Sequence, residues 1–188
     1  MLNQIKIIEL FISLESIIIS TFLPLYISLP SNKSIIYTFQ IPVTWQVPTI
    51  IFLTVIFSGE VVYKAFTIYI LIGLFLLPVF YDGGSLGYIL TPNFGYLIGI
   101  FPLIKIINSL NKKDQFTIEE FIKYSIMSII LMHTVGIFFN TIQLILFNRI
   151  NLISLIIGKY TFSKIIFEIL LLFPILILLK PFKKINYL

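Results

Sequence analysis

Cysteine is absent from the 188 residues, and histidine and tryptophan occur once each. Without cysteine there is no disulfide framework, no thiolate nucleophile and no Cys-ligated zinc or iron–sulfur site. A single histidine, His133, cannot build a multi-histidine metal centre, so no metal site is expected. Charge is scarce too: 11% of residues are Asp, Glu, Lys or Arg, against about 25% in a soluble domain. Hydrophobic residues make up 59%, with 19 Phe and 10 Tyr, and mean hydropathy is +1.06. These values exclude an ordinary cytosolic globule and describe a membrane protein. The formal charge of +5 is sown between apolar runs, where basic residues report topology rather than a phosphate-binding surface. Nucleic acid is therefore not an expected partner; the lipid bilayer is.

A bilayer core takes about 20 predominantly apolar residues per helix. Six stretches qualify, and they predict an all-α membrane protein: one six-helix transmembrane bundle over residues 1–188, with helices at approximately 5–29, 43–58, 61–81, 94–108, 121–147 and 161–180. The second and fourth are short enough to be broken or re-entrant. The one clearly aqueous loop is 108–120, NSLNKKDQFTIEE. No basic region precedes the first apolar run and no small-residue cleavage site follows it, so this run is expected to stay as the first helix. With the N-terminus inside, Lys6, Lys64, Lys105, Lys112, Lys113, Lys123, Lys180, Lys183 and Lys184 collect on the inner side, while Lys33, Arg149, Lys159 and Lys164 remain outside. That asymmetry predicts a multi-pass membrane protein with both termini cytoplasmic.

A polar group left unpaired in hydrocarbon costs several kcal/mol, so polar residues within spans must face protein, a cavity or a partner. In the first helix Glu9, Ser13, Ser16 and Ser20 share one face. Ser16 and Ser20 form a small-xxx-small pair that lets another helix approach closely. This stripe either packs within its own bundle or docks another membrane protein, with Ser13, Ser16 and Ser20 as the docking residues. Glu15 lies off the stripe and needs a partner or a proton. In the fifth helix His133, Gly136, Asn140 and Gln143 share a face that reads either as an interhelical hydrogen-bond network or as an outward-opening polar pocket.

Between Ile41 and Gly99 the chain is dense in Pro, Gly and aromatic residues. IPVTWQVP sets Thr44 and Gln46 beside Trp45, and Pro42 and Pro48 disfavour a regular helix around them. LLPVFYDGGSLGYILTPNFGYLIG then packs Pro78, Gly83, Gly84, Gly87, Pro92 and Gly95 among Phe80, Tyr81, Tyr88, Phe94 and Tyr96. Such a loop offers flat apolar walls with polar tips, which suit either a small amphipathic ligand or an interfacial aromatic belt. Catalytic signatures are missing. His133 has no evident serine partner, Asp82 and Asp114 are predicted on opposite sides of the membrane, and no P-loop occurs. Uphill transport driven by nucleotide would need another subunit.

In order and spacing, PVTWQ (Pro42 to Gln46), Tyr69 to Gly73 ahead of LPVF (Leu77 to Phe80), the pair Gly83 and Gly84, and PNFGYLIG (Pro92 to Gly99) together resemble the BioY family. Its members are biotin-binding S components of energy-coupling factor (ECF) transporters. Departures are Leu76 at the second glycine of the third-helix motif and Asn93 at the common threonine. Ser16 and Ser20 stand where S components usually carry alanine, and Lys164 with Glu168 where many members have an Asp-x-x-Lys element.

The resemblance implies six spans in a bacterial-type plasma membrane, no catalysis by the chain itself, no cofactor, and biotin as the transported ligand. It implies capture from outside and delivery to the cytoplasm, driven by an ECF transmembrane coupling protein and a pair of ATPase subunits. Biotin joins a ureido ring, an apolar sulfur-containing ring and a valerate carboxylate. For such a ligand, Gln46 with Thr44 beside it, Asn93 and Asn140 would address the ureido group or order the loops around it. Phe80, Tyr81 and Tyr96 would wall the rings, and Lys164 would hold the carboxylate, with Lys159 and Arg149 as rivals. Snorkelling to the outer interface is the other reading of Lys164. Two competing assignments are an S component for another vitamin, thiamin or riboflavin, and a non-transporting membrane scaffold; an intramembrane enzyme is disfavoured by the absent catalytic groups.

Overall fold

Helix α1 spans Leu2–Thr21 and stops well short of the expected Leu29. Pro24 has no N–H to donate and biases Leu23 away from helical backbone, so the chain turns extended. Strand β1, Pro24–Leu29, pairs antiparallel with β2, Tyr37–Thr44, in a register that sets Leu25 opposite Ile41 and Ser28 opposite Thr38. The all-helical expectation is corrected by this hairpin, built from aromatic and β-branched residues that the apolar-run count had divided between the first span and its following loop. The computed structural model describes residues 2–29, 37–111, 113, 115–182 and 185–186. Lys33, Lys112, Asp114, Lys183 and Lys184, used above to assign sides, lie outside the described residues.

After the hairpin come α2, Gln46–Ile56, and α3, Gly59–Phe75, whose first turn is capped by the Ser58 hydroxyl accepting from Val61 N–H. A loop over residues 76–91 leads to α4, Pro92–Asn111. Helix α5, Ile118–Leu146, opens with a capping box. The Thr117 hydroxyl accepts from Glu120 N–H, and the Glu120 carboxylate accepts from Thr117 N–H. The last apolar helix, α6, covers Ile150–Phe182 and so starts ahead of the expected residue 161. It is not uniform: a π-helical turn occupies Gly158–Phe162.

Three of these helices, α4, α5 and α6, are long and apolar enough to cross a membrane by length and composition. They alternate in direction with α1 to α3, so one end of the bundle carries Lys6, Lys64, Lys105, Lys123 and Lys180 while the other carries the hairpin, the 76–91 loop and the start of α6. Phe66, Tyr69, Ile50, Leu103 and Ile104 are fully buried at the centre. Phe11, Phe75, Phe138, Leu146, Phe173 and Ile177 are exposed around the outside; in water each would forgo about 1.5–3 kcal/mol of burial, whereas lipid solvates them. Helices α4 and α5 approach closely at Gly99, where a Cβ would lie 2.4 Å from the Met132 carbonyl oxygen.

Candidate ligand-binding site

The Pro- and Gly-rich segments converge on a cavity of about 410 Å³. It lies at the end of the bundle opposite the lysine-rich one, between β2, the start of α2, the end of α3, the 76–91 loop, the start of α4 and the first half of α6. His133 of α5 reaches it from mid-helix.

Each wall has a local cause. The 76–91 loop turns back on itself through paired backbone bonds, Phe80 N–H to Gly83 O at 2.9 Å and Gly83 N–H to Phe80 O at 3.0 Å. Gly83 sits at φ +111°, which side chains with a Cβ rarely adopt. At Gly84 a Cβ would be 2.6 Å from the Gly73 carbonyl oxygen, so the loop's backbone rests directly on α3. The Asn93 amide donates to the Asp82 carboxylate at 2.6 Å, latching the loop tip to the start of α4. Tyr69 OH donates to Val79 O at 3.3 Å and lies 3.2 Å from the Thr21 hydroxyl, joining the ends of α1 and α3 to the same loop. Burial pushes the Tyr88 phenol well above its ordinary range, and the nearby Asp82 carboxylate adds to the shift, so Tyr88 stays a neutral wall.

On the facing side the π turn of α6 inserts one extra residue into the helical winding, a device frequent at functional sites. It brings Lys159, Tyr160 and Lys164 to the cavity. The Tyr160 ring stacks on Tyr96 at 6.0 Å between centroids. Both ammonium groups lie near its ring centre, Lys159 at 5.1 Å and Lys164 at 5.2 Å. Among the described residues neither lysine forms an ion pair. The Tyr96 hydroxyl lies 2.9 Å from that of Thr161.

At the foot of the roof, Gln46 is buried and its Nε2 has no hydrogen-bond partner. An unsatisfied buried amide donor costs about 1–3 kcal/mol, and because Gln46 lines the cavity an acceptor entering it would meet that donor. Thr44, Tyr81, Asn93, Tyr96 and Lys164 line the cavity with it. Phe80 and Asn140 do not. Phe80 is fully buried behind the wall, 4.5 Å from the Tyr88 ring and 5.3 Å from the Tyr69 ring. The Asn140 amide donates to Pro92 O at 3.1 Å and Gly136 O at 2.8 Å, and Gln143 donates to Ile89 O at 2.8 Å. The polar face of α5 is thus largely a set of ties to α4 and the loop. Arg149 is not among the lining residues, whereas Lys159 is.

Tyr160 lines the cavity without having been singled out from the sequence, and Tyr69, Tyr88, Asp82, His133 and Glu168, noted there for other reasons but not placed among the ligand-binding residues, line it too. Tyr69 had a signal in heading the Tyr69–Gly73 motif, and Tyr160 in lying between two lysines. On α1, Ser13 and Ser20 are buried within the chain's own bundle, while Ser16 is half-buried and borders a shallower hollow with Trp45, Thr49 and Phe52. Glu15 is exposed on the outer face and Glu9 is half-buried.

A closed-in amide donor, five tyrosines and two lysines free of salt bridges suit a small molecule with a polar ring at one end and an anion at the other. A profile of the BioY family matches residues 5–185. The chain belongs to the BioY family. Among BioY relatives, the "Probable biotin transporter BioY" of Lysinibacillus sphaericus is 32% identical over 98 residues, 52% of this chain and 50% of the relative, so the chain spans half the length of that relative. The crystal structure of the S-component for biotin from an ECF-type ABC transporter superposes with a TM-score of 0.65 and 23% identity, covering 96% of this chain and 95% of the other. That likeness is one of fold, and it extends over the whole BioY architecture described above.

Proposed function

We propose that this chain is the membrane-embedded substrate-binding subunit of an ECF-type transporter and captures biotin from outside the cell. Family membership supports the assignment, and the observation that carries it to this molecule is the chemistry lining one cavity. The Gln46 Nε2, which has no partner, suits the ureido carbonyl. Tyr69, Tyr88, Tyr96 and Tyr160 suit the apolar rings, and the unpaired Lys164, with Lys159 beside it, suits the valerate carboxylate. A volume of about 410 Å³ falls within the roughly 300–1,000 Å³ of small-molecule sites. Thr44, Tyr81 and Asn93 complete the rim.

Both termini are proposed to be cytoplasmic, which puts the lysine-rich end inside and the cavity mouth outside. Because the chain has no cysteine, single cysteines at Ser109 and Asn148 test this cleanly. An impermeant maleimide added to whole cells is expected to label position 148 and spare 109. Release of biotin inward is then the work of a transmembrane coupling protein and ATPase subunits, which dock on the outer face of α1.

The decisive test is calorimetric titration of the purified protein in detergent. Saturable biotin binding that desthiobiotin displaces and thiamin does not supports the assignment. Absence of a saturable site would leave only a membrane scaffold, and preference for thiamin or riboflavin would move the chain to another vitamin.

A further inference from the structure

Lys164 and Glu168 are four residues apart on α6, a spacing at which opposite charges meet across one helical turn. Here they do not pair. Glu168 Oε2 instead lies 2.8 Å from His133 Nε2 on α5, and both residues are buried, at 5% and 2% exposure. A carboxylate so far from water requires a charged or hydrogen-bonding partner. From α4 the neighbouring titratable group is Tyr96, whose ring packs 5.4 Å from the imidazole and whose hydroxyl is already engaged with Thr161. From α6 itself the candidate is Lys164. His133 is the remaining group, and it takes the carboxylate.

We propose that His133 is a positioning residue for ligand binding: by holding the Glu168 carboxylate against α5, it keeps that carboxylate away from Lys164 and leaves the ammonium free for the anionic end of the ligand. The inference rests on the reading of this cavity as a biotin site and deepens it, because it names what makes the site's cation available. Lys164 then rests on the Tyr160 ring face, a contact that a ligand carboxylate can supplement without breaking a salt bridge. If His133 is replaced by an apolar residue, Glu168 remains buried and its nearest available cation is Lys164. The internal pair that forms neutralises the site.

The test compares biotin with biotinamide, which has the same rings and chain but no charge, by calorimetry on the full chain in detergent. The wild type is expected to prefer biotin over biotinamide by about tenfold or more, the worth of a hydrogen bond to a charged group. H133L is expected to lose about tenfold for biotin and less than about twofold for biotinamide. The double variant H133L/E168Q, which has no carboxylate on α6 left to occupy Lys164, is expected to recover biotin affinity to within about threefold of wild type. E168Q alone keeps His133 and is expected to bind biotin more tightly, since a nearby negative charge is gone. Equal losses for both ligands in H133L, no recovery in the double variant, or weaker biotin binding in E168Q would each overturn the proposal. E168Q tests the same point even where H133L does not fold. A wild type that binds neither ligand refutes the biotin assignment itself; a wild type that binds biotin with no charge-selective loss in H133L refutes this inference alone.

Discussion

Gly136 on α5 faces the Tyr96 ring on α4 so closely that a Cβ at position 136 would sit 2.4 Å from its Cδ1. The missing side chain is what lets Tyr96 stand upright between the cavity and α5, with its hydroxyl on Thr161 and its face on Tyr160. The glycine thereby shapes a wall of the cavity from behind it.

G136A is expected to push the Tyr96 ring toward the cavity and to break its contact with Thr161. Overpacking of this kind costs about 1–3 kcal/mol, and here it falls on the ligand site as well as on the bundle. Biotin affinity should drop by about tenfold, and the thermal midpoint should fall too. Replacing Tyr96 by Phe in the G136A background leaves the ring clash in place, so calorimetry should show no recovery.

Gln46 makes the opposite trade. Its Nε2 is buried without a partner, so Q46L removes an unsatisfied donor and puts an apolar side chain of similar size in its place. Thermal stability is expected to rise or hold, while biotin affinity falls by about tenfold through loss of a hydrogen bond of about 1–1.5 kcal/mol. Matched thermal-shift and calorimetric measurements check the pair of signs; a variant that loses both stability and affinity would make Gln46 a structural residue.

Asp82 and Asn93 hold the 76–91 loop to α4 through one 2.6 Å hydrogen bond. Both are partly solvent-facing, so the bond contributes about 1 kcal/mol rather than the larger figure for a buried charge. D82A and N93A should each speed biotin release severalfold, and the double variant should be no faster than either single one. A double-mutant cycle on dissociation rates measures that coupling.

Ser16 is the member of the α1 serine stripe that remains at the surface. S16L should leave biotin binding within about twofold of wild type, since the residue borders a separate hollow, and should weaken co-purification with the coupling and ATPase subunits by filling the place a second helix would approach. Wild-type recovery of the complex would remove Ser16 from the docking surface.

Much of the architecture is legible in residue chemistry. Scarce charge and six apolar runs require a membrane-embedded helical bundle, because backbone polar groups in lipid have to be satisfied within each segment. The Gly83–Gly84 pair marks its loop for a local reason, since Gly83 adopts φ +111°, which residues with a Cβ rarely reach, whereas Pro24, which forbids a regular helix beyond α1, lies inside the apolar run expected to span to residue 29. The hairpin was hidden because PLYISL and YTFQIPVT are as apolar as a span, and hydropathy alone does not separate a strand from a helix. Helix boundaries shifted with it.

The site divides along the same line. Local motifs point to Thr44, Gln46, Tyr81, Asn93 and Tyr96, whose backbone constraints lie close by in sequence, and the family resemblance points to Lys164; all six line the cavity. Spacing along the chain could not tell Phe80 in front of the wall from Phe80 behind it, nor Asn140 in a pocket from Asn140 tying α5 to Pro92. Those outcomes depend on which faces of separate helices meet. The partner of Glu168 is the sharpest case: along the chain Lys164 is the obvious choice, and only the packing of α5 against α6, 35 residues apart at the contact, assigns it to His133.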